Sequence, residues 1–192
     1  MINKLILGSA LTASLLLVGC GGGDTTTDTL GTTTGYVVDS AVENMDYDCV
    51  ADGISNKVTG TDGAFTCDDM SQVRFRIGKL ILGEISTLPE DGYVFPQDII
   101  GVSRANLIDL KVTAMAQFLQ SCDEDENLTN GIVIPDVIRL VFEEVEFNAA
   151  DLTVYLDQAS TIINVIVDEV SAKEHLRDTM EEHGIDTTGY AI

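Results

Sequence analysis

Two rhythms of apolar and polar residues divide the chain near Pro89. Before it, apolar residues alternate with polar ones or come in short runs between Gly and Asp-Gly signals. In Val73-Arg74-Phe75-Arg76-Ile77 every second residue is apolar, so a strand here buries Val73, Phe75 and Ile77 and turns the two arginines outward. The same texture predicts strands over 36–38, 45–50, 57–61, 64–67, 72–77 and 80–82. Asp62-Gly63 reads as the hairpin turn between two of them, because this pair tolerates positive φ.

After Pro89 the period lengthens to that of a helix. Leu107, Leu110, Ala114, Met115, Phe118, Leu119 and Cys122 form one stripe, which predicts a helix over about 104–121 with Cys122 at its buried face. Pro135-Asp136 opens a second helix, with proline near the first helical position and an acid at the positive end of the dipole. Asp151 can cap a further segment. Its most apolar part, 159–172, is rich in β-branched residues and reads as either helix or strand. A last helix is expected from Ser171, with Glu174 completing a capping box and Gly184 stopping it. The expected fold is therefore α+β: a small β module over 35–95, sandwich-like or a meander, followed by a small helical bundle over 96–192.

The first residues carry an address. Lys4 precedes an apolar run from Leu5 to Val18 that ends at Gly19-Cys20. A membrane span needs ~20 apolar residues, so this shorter run reads as a cleaved export signal over 1–19. Leu17-Val18-Gly19-Cys20 resembles the lipobox of bacterial lipoproteins, in which the cysteine thiolate takes the lipid and becomes the new N-terminus. That resemblance implies lipidation at Cys20. Gly21, standing where aspartate would retain the protein at the inner membrane, implies passage to the outer membrane. Residues 20–34 are almost without apolar content and read as the lipidated cysteine and a flexible Gly/Thr tether, so the folded part is expected to begin near Gly35.

An exported chain sits where disulfides persist, and a β module of this size buries too little surface to be secure alone. Cys49 and Cys67 lie in neighbouring predicted strands and are expected to form one. Cys122 is then the odd thiol, a core residue whose adjacent acids would raise its pKa and suppress reactivity.

Charge narrows the function. The 192 residues hold 10 Lys+Arg against 32 Asp+Glu, a formal net charge of −22. Such a field repels phosphate backbones, so no nucleic-acid partner is expected, whereas divalent cations and basic partners are favoured. With 45% apolar residues, the chain can still bury a core.

Two stretches carry a further resemblance. The first runs from Gly35-Tyr-Val-Val-Asp-Ser-Ala-Val42 through Cys49 and Gly63-Ala-Phe-Thr-Cys67 to Val73-Arg-Phe-Arg-Ile-Gly78. The second is Gln117-Phe-Leu-Gln120 followed by the acidic turn and Asn130-Gly-Ile132. Together they resemble a group of bacterial surface lipoproteins and envelope proteins, over 35–135. The resemblance implies an envelope address and carries no activity with it. This chain departs from the pattern at Asn127-Leu128, where a glycine is usual, and at Cys122, where leucine is usual.

The stretch Asp123-Glu-Asp-Glu-Asn127 is the candidate metal loop. Asp123, Asp125 and Asn127 alternate as the first ligands of a calcium loop do. An EF-hand needs glycine and glutamate where Leu128 and Ile134 stand, so that motif is excluded. A looser calcium site completed by Asn130 or Asp136 stays open, beside the plain reading of a solvated turn. No cofactor is required.

Catalytic motifs are absent. His175 and His183 lie too far apart to stack as an i, i+4 metal pair, and no metalloprotease, nucleophile-elbow or phosphate-loop pattern occurs. The expectation is a non-enzymatic, lipid-anchored binding or structural protein of the outer membrane, contacting an envelope or extracellular protein and stabilised by calcium if the acidic loop binds it. The alternative is an envelope hydrolase using carboxylates.

Overall fold

The computed structural model describes residues 31–143, 163 and 166–192. The expected export signal, Cys20, most of the expected tether, Asp151 and residues 159–162, 164 and 165 of the apolar segment lie outside the described residues.

The fold is α+β, with nine strands and four helices among the described residues. The chain runs β1 (Thr33–Val37), β2 (Val42–Glu43), β3 (Asp46–Cys49), β4 (Ile54–Val58), β5 (Ala64–Cys67), β6 (Val73–Ile77), β7 (Leu80–Ile85) and β8 (Tyr93–Val94). Then follow α1 (Pro96–Ile100), α2 (Leu110–Ser121), a 3₁₀ turn (Leu128–Asn130), β9 (Ile132–Val133), α3 (Asp136–Glu143) and α4 (Glu169–Glu182). Three sheets form: β5-β1-β8, the pair β2-β9, and β4-β3-β6-β7.

β6 follows its alternation: Val73, Phe75 and Ile77 are fully buried, while Arg74 and Arg76 lie on the outer face. The Cys49–Cys67 disulfide forms, with its Cα atoms 5.6 Å apart. It joins β3 of the four-stranded sheet to β5 of the three-stranded sheet, so it staples two sheets rather than two neighbours in one. Tyr47, Phe65 and Phe75 pack edge to face between these sheets, which puts aromatic area where the staple holds them together.

Several boundaries differ from the sequence reading. Thr33 and Thr34, taken as tether, pair with Cys67 and Thr66, because an open sheet edge can recruit even small polar residues through the backbone alone. The strand expected over 57–61 is shifted to Ile54–Val58, and Asp62-Gly63 is not a hairpin: its flanking strands belong to different sheets. The turn itself is real. Gly63 sits at φ +75, and a Cβ there would lie 2.3 Å from the Val37 carbonyl.

Helix α2 starts at Leu110, not near 104, because Asp109 caps it by accepting from the amides of Lys111 and Val112. Leu107 is buried ahead of the helix, and Leu110 is 80% exposed, so the expected stripe loses one member. Helix α4 likewise begins at Glu169, capped by Asp168, rather than at Ser171. Ser171 donates instead to the Asp168 carboxylate at 2.7 Å.

The division expected near residue 95 is not a division in the core. One hydrophobic cluster contains Phe65, Phe75 and Leu82 from the strands together with Met115, Phe118, Ile138 and Phe142 from the helices. A second cluster packs Val38 and Phe95 against Val112, Ala116, Leu176 and Met180, bringing α2 and α4 together. Full burial of each Phe, Leu or Met contributes roughly 1.5–3 kcal/mol, and here both halves of the chain share it.

Candidate functional site

Three polar regions stand out: a buried joint, the acidic loop and an open groove. The joint is built by two stretches far apart in the chain, 38–43 and 120–133, which touch each other. Val42 and Glu43 of β2 pair in parallel with Ile132 and Val133 of β9. The Val38–Ala41 bridge closes a tight turn just before β2, and Asp39 and Ser40 are its two central residues. Ser40 takes the left-handed φ of +57 that this turn imposes.

Asp39 is fully buried, and its carboxylate accepts 3.1 Å hydrogen bonds from Gln120 Nε2. The same amide donates to the Ala172 carbonyl of α4, which can only accept and thereby sets the orientation of the side chain. Gln120 Oε1 is left buried without a partner. Burial pushes the Asp39 carboxyl up to about 8, against the smaller lowering effect of Gln120.

Ser40 links three elements. Its Oγ donates to the Leu128 carbonyl at 2.6 Å and lies 3.0 Å from His175 Nε2, and its amide donates to Thr179 Oγ1. Since the hydroxyl hydrogen is occupied by Leu128, Nε2 is the donor to Ser40 Oγ. Burial lowers the His175 pKa, while the Asp39 carbonyl and the acids Glu182 and Asp178 oppose the shift. This Ser–His pair is absent from the sequence reading because the residues are 135 positions apart. The buried Asp-Ser between valines and the glutamine after Phe118-Leu119 were the only signals available.

The acidic loop gathers the four expected ligands, though for another purpose first. Asp123 accepts from the amides of Asn127 and Val133 at 2.8 and 2.9 Å. Asp125 accepts from the Asn127 amide and from Asn130 Nδ2, and Asn127 Oδ1 accepts from the Thr129 hydroxyl. The acids therefore point into their own turn rather than across the end of α2. Burial raises the Asp123 pKa, with the neighbouring Asp125 adding to it, whereas the hydrogen bond from Asn130 lowers Asp125. Among the described residues no third carboxylate, histidine or cysteine converges with this pair. Any cation held here would draw on the amide oxygens of Asn127 and Asn130. Asp136, the other completing ligand considered, instead accepts from Asn44 and Arg139.

Cys122 is buried at the end of α2, and burial itself, rather than the adjacent acids, drives its thiol pKa upward. The one cluster of potential metal-binding atoms among the described residues is Cys49, Asp52 and Cys67. Its two sulfurs are consumed by the disulfide, and Asp52 accepts from the amides of Asp68 and Asp69.

The groove lies on the outer face of the four-stranded sheet, with a volume of about 490 Å³. Its floor is Arg74 and Arg76, and Lys79, Ile81 and Glu143 stand around it. Arg76 is bound to Asp48, Asn56 and the Gly78 carbonyl. Behind it Asp46 is buried between Arg139, at 2.5 Å, and Arg76. Arg74 pairs with Glu84 across to β7. Gly78 makes the corner where α3 meets the sheet: at φ +57, a Cβ would lie 2.5 Å from the Arg139 carbonyl. The Lys79 amide donates to the Phe142 carbonyl at 2.9 Å, which brings Lys79 and Glu143 close together along the groove. Both residues are exposed, and neither side chain has a hydrogen-bond or ion-pair partner among the described residues.

No helix among the described residues is long and apolar enough to cross a membrane. No family model matches the chain, and comparison with curated proteins and with solved structures finds no match.

Proposed function

We propose that this protein is a lipid-anchored component of the outer membrane that binds an envelope or extracellular partner without transforming it, through the groove on its four-stranded sheet. The observation that carries the reading is the pair of uncommitted charges, Lys79 and Glu143, on the walls of a groove of about 490 Å³. Other exposed charges, Lys111, Glu90 and Glu174 among them, also lack a side-chain partner, but Lys79 and Glu143 carry opposite signs and line one groove. A pocket of this size is within the range that takes a ligand or an inserted side chain. The lipobox-like Leu17-Val18-Gly19-Cys20 supports the anchor, and the Gly/Thr-rich composition after it supports a spacer between anchor and fold. Calcium enters as a stabiliser of the loop holding Asp123, Asp125, Asn127 and Asn130.

The hydrolase alternative has less in its favour. Among the described residues, the two carboxyls with raised pKa values do not form an acid pair: Asp39 is closed over by Gln120, and Asp123 is bound by two backbone amides. Ser40 and His175 are a nucleophile-and-base pair in composition only. The hydroxyl donates away from the imidazole, and the Asp39 carboxylate, which would orient His175 in a triad, is held by Gln120.

Affinity capture from outer-membrane extract tests the reading, with the acylated protein and its Lys79→Glu variant compared side by side. A stoichiometric partner held by the native protein and lost by the variant is the expected result. Partners held equally by both would reject the groove as the binding surface, and hydrolysis of a captured component would restore the enzyme reading.

A further inference from the structure

We propose that the groove takes a small zwitterion, a free amino acid or short peptide, with its carboxylate toward Lys79 and its ammonium toward Glu143; this rests on the binding role just described. The groove offers one uncommitted cation and one uncommitted anion, and the two are not ion-paired with each other. Its other charges are already occupied: Arg76 by Asp48 and Asn56, and Arg74 by Glu84. Charges of both signs left over in one cavity match a ligand that carries both.

The field of the whole chain selects in the same direction. At a net charge of −22 the protein repels a purely anionic ligand approaching Lys79. A simple cation would meet Glu143 but would also face the ammonium of Lys79. A zwitterion is neutral overall, is not driven away by the field, and presents each end to an opposite charge. Ile81, 37% exposed, lines the same groove and offers an apolar contact to a side chain between the two ends. The volume of about 490 Å³ accommodates one or two residues.

The test is calorimetric titration of the full-length acylated protein in detergent with three probes: glycyl-leucine, N-acetylglycyl-leucine and glycyl-leucinamide. Glycyl-leucine is expected to bind, and blocking either end to weaken it by about tenfold or more, the loss that follows when one member of a charge pair is removed. Lys79→Met should weaken glycyl-leucine and leave the amide unchanged, and Glu143→Gln should weaken glycyl-leucine and leave the acetylated form unchanged. Equal binding of all three probes, preference for the anion, or no binding at millimolar concentration would overturn the proposal. Should the dipeptides fail while capture of a partner still depends on Lys79, the ligand class falls and the groove stands. Should capture also ignore Lys79→Glu, both fall.

Discussion

At the joint, Ser40 commits its hydroxyl to Leu128 and His175, and Asp39 is closed over by Gln120; in the groove, the side chains of Lys79 and Glu143 have no partner among the described residues. Both regions are polar, and both lie where strands meet helices. They differ in whether their polar groups are satisfied inside the chain. Where a polar network is closed and buried, removing one member strands the others in a medium that cannot solvate them. Where charges stand open to solvent, removing one costs the fold little and removes only what the charge could bind. Joint variants should therefore lower stability and spare binding, and groove variants should do the reverse.

The largest effect is expected from Gln120→Ala. It leaves the Asp39 carboxyl and the Ala172 carbonyl buried without their donor and opens a gap between α2 and α4. Urea unfolding should show a loss of about 2–4 kcal/mol. Ser40→Ala comes next, at about 1 kcal/mol, because its hydroxyl and ring contacts are only partly shielded. Ser40→Gly should cost less than Ser40→Ala, since glycine adopts φ +57 without strain. An alanine variant as stable as the glycine one would show that the turn is not strained.

Asp39 also gives the joint a pH signature. Its folded pKa of about 8 lies above the ordinary 3.8, so the folded state holds a proton that the unfolded state has released across that interval. The contribution is complete below about pH 4 and is lost as pH rises to about 8. His175, with its pKa lowered by burial, acts at the other end and loses its contribution as pH falls below its ordinary 6.5. Asp39→Asn should flatten the alkaline limb of stability against pH and leave the acid limb in place. An unchanged alkaline limb would show that the buried carboxyl is not its source.

Much of the β half was legible in the sequence because its signals are local. Alternation in Val73 to Ile77 sets which residues are buried regardless of what lies beyond, and two cysteines in neighbouring strands of a small β module have few better partners than each other. Pairing between sheets was not legible. Nothing near Thr33 announces that it will lie opposite Cys67, and the Asp62-Gly63 turn does not say whether its flanking strands pair. Helix starts were misplaced for a related reason: Asp109 and Asp168 cap by side-chain geometry, whereas the apolar stripe runs on through Leu107 into the preceding loop. The candidate sites divide in the same way. The acidic loop is contiguous and was read directly, but the groove combines Arg74 and Lys79 with Glu143 from another element, and the joint combines Asp39 with Gln120, 81 residues away.

The smallest expected effect is that of calcium. The acids of the loop already accept hydrogen bonds from Asn127, Asn130 and Val133, so an ion would add to a turn that is closed without it. Millimolar calcium should raise the thermal midpoint by mass action, and Asp125→Asn should remove the rise. An unchanged midpoint would reject the ion.

The most direct test of the contrast between a closed joint and an open groove is amide hydrogen exchange, comparing the full-length protein in the presence of envelope extract with the purified protein alone. The account predicts added protection over 74–81, around Lys79, with exchange at Asp39, Gln120 and the acidic loop unaltered. Protection that appears at the acidic loop or the joint and leaves 74–81 unchanged would contradict it.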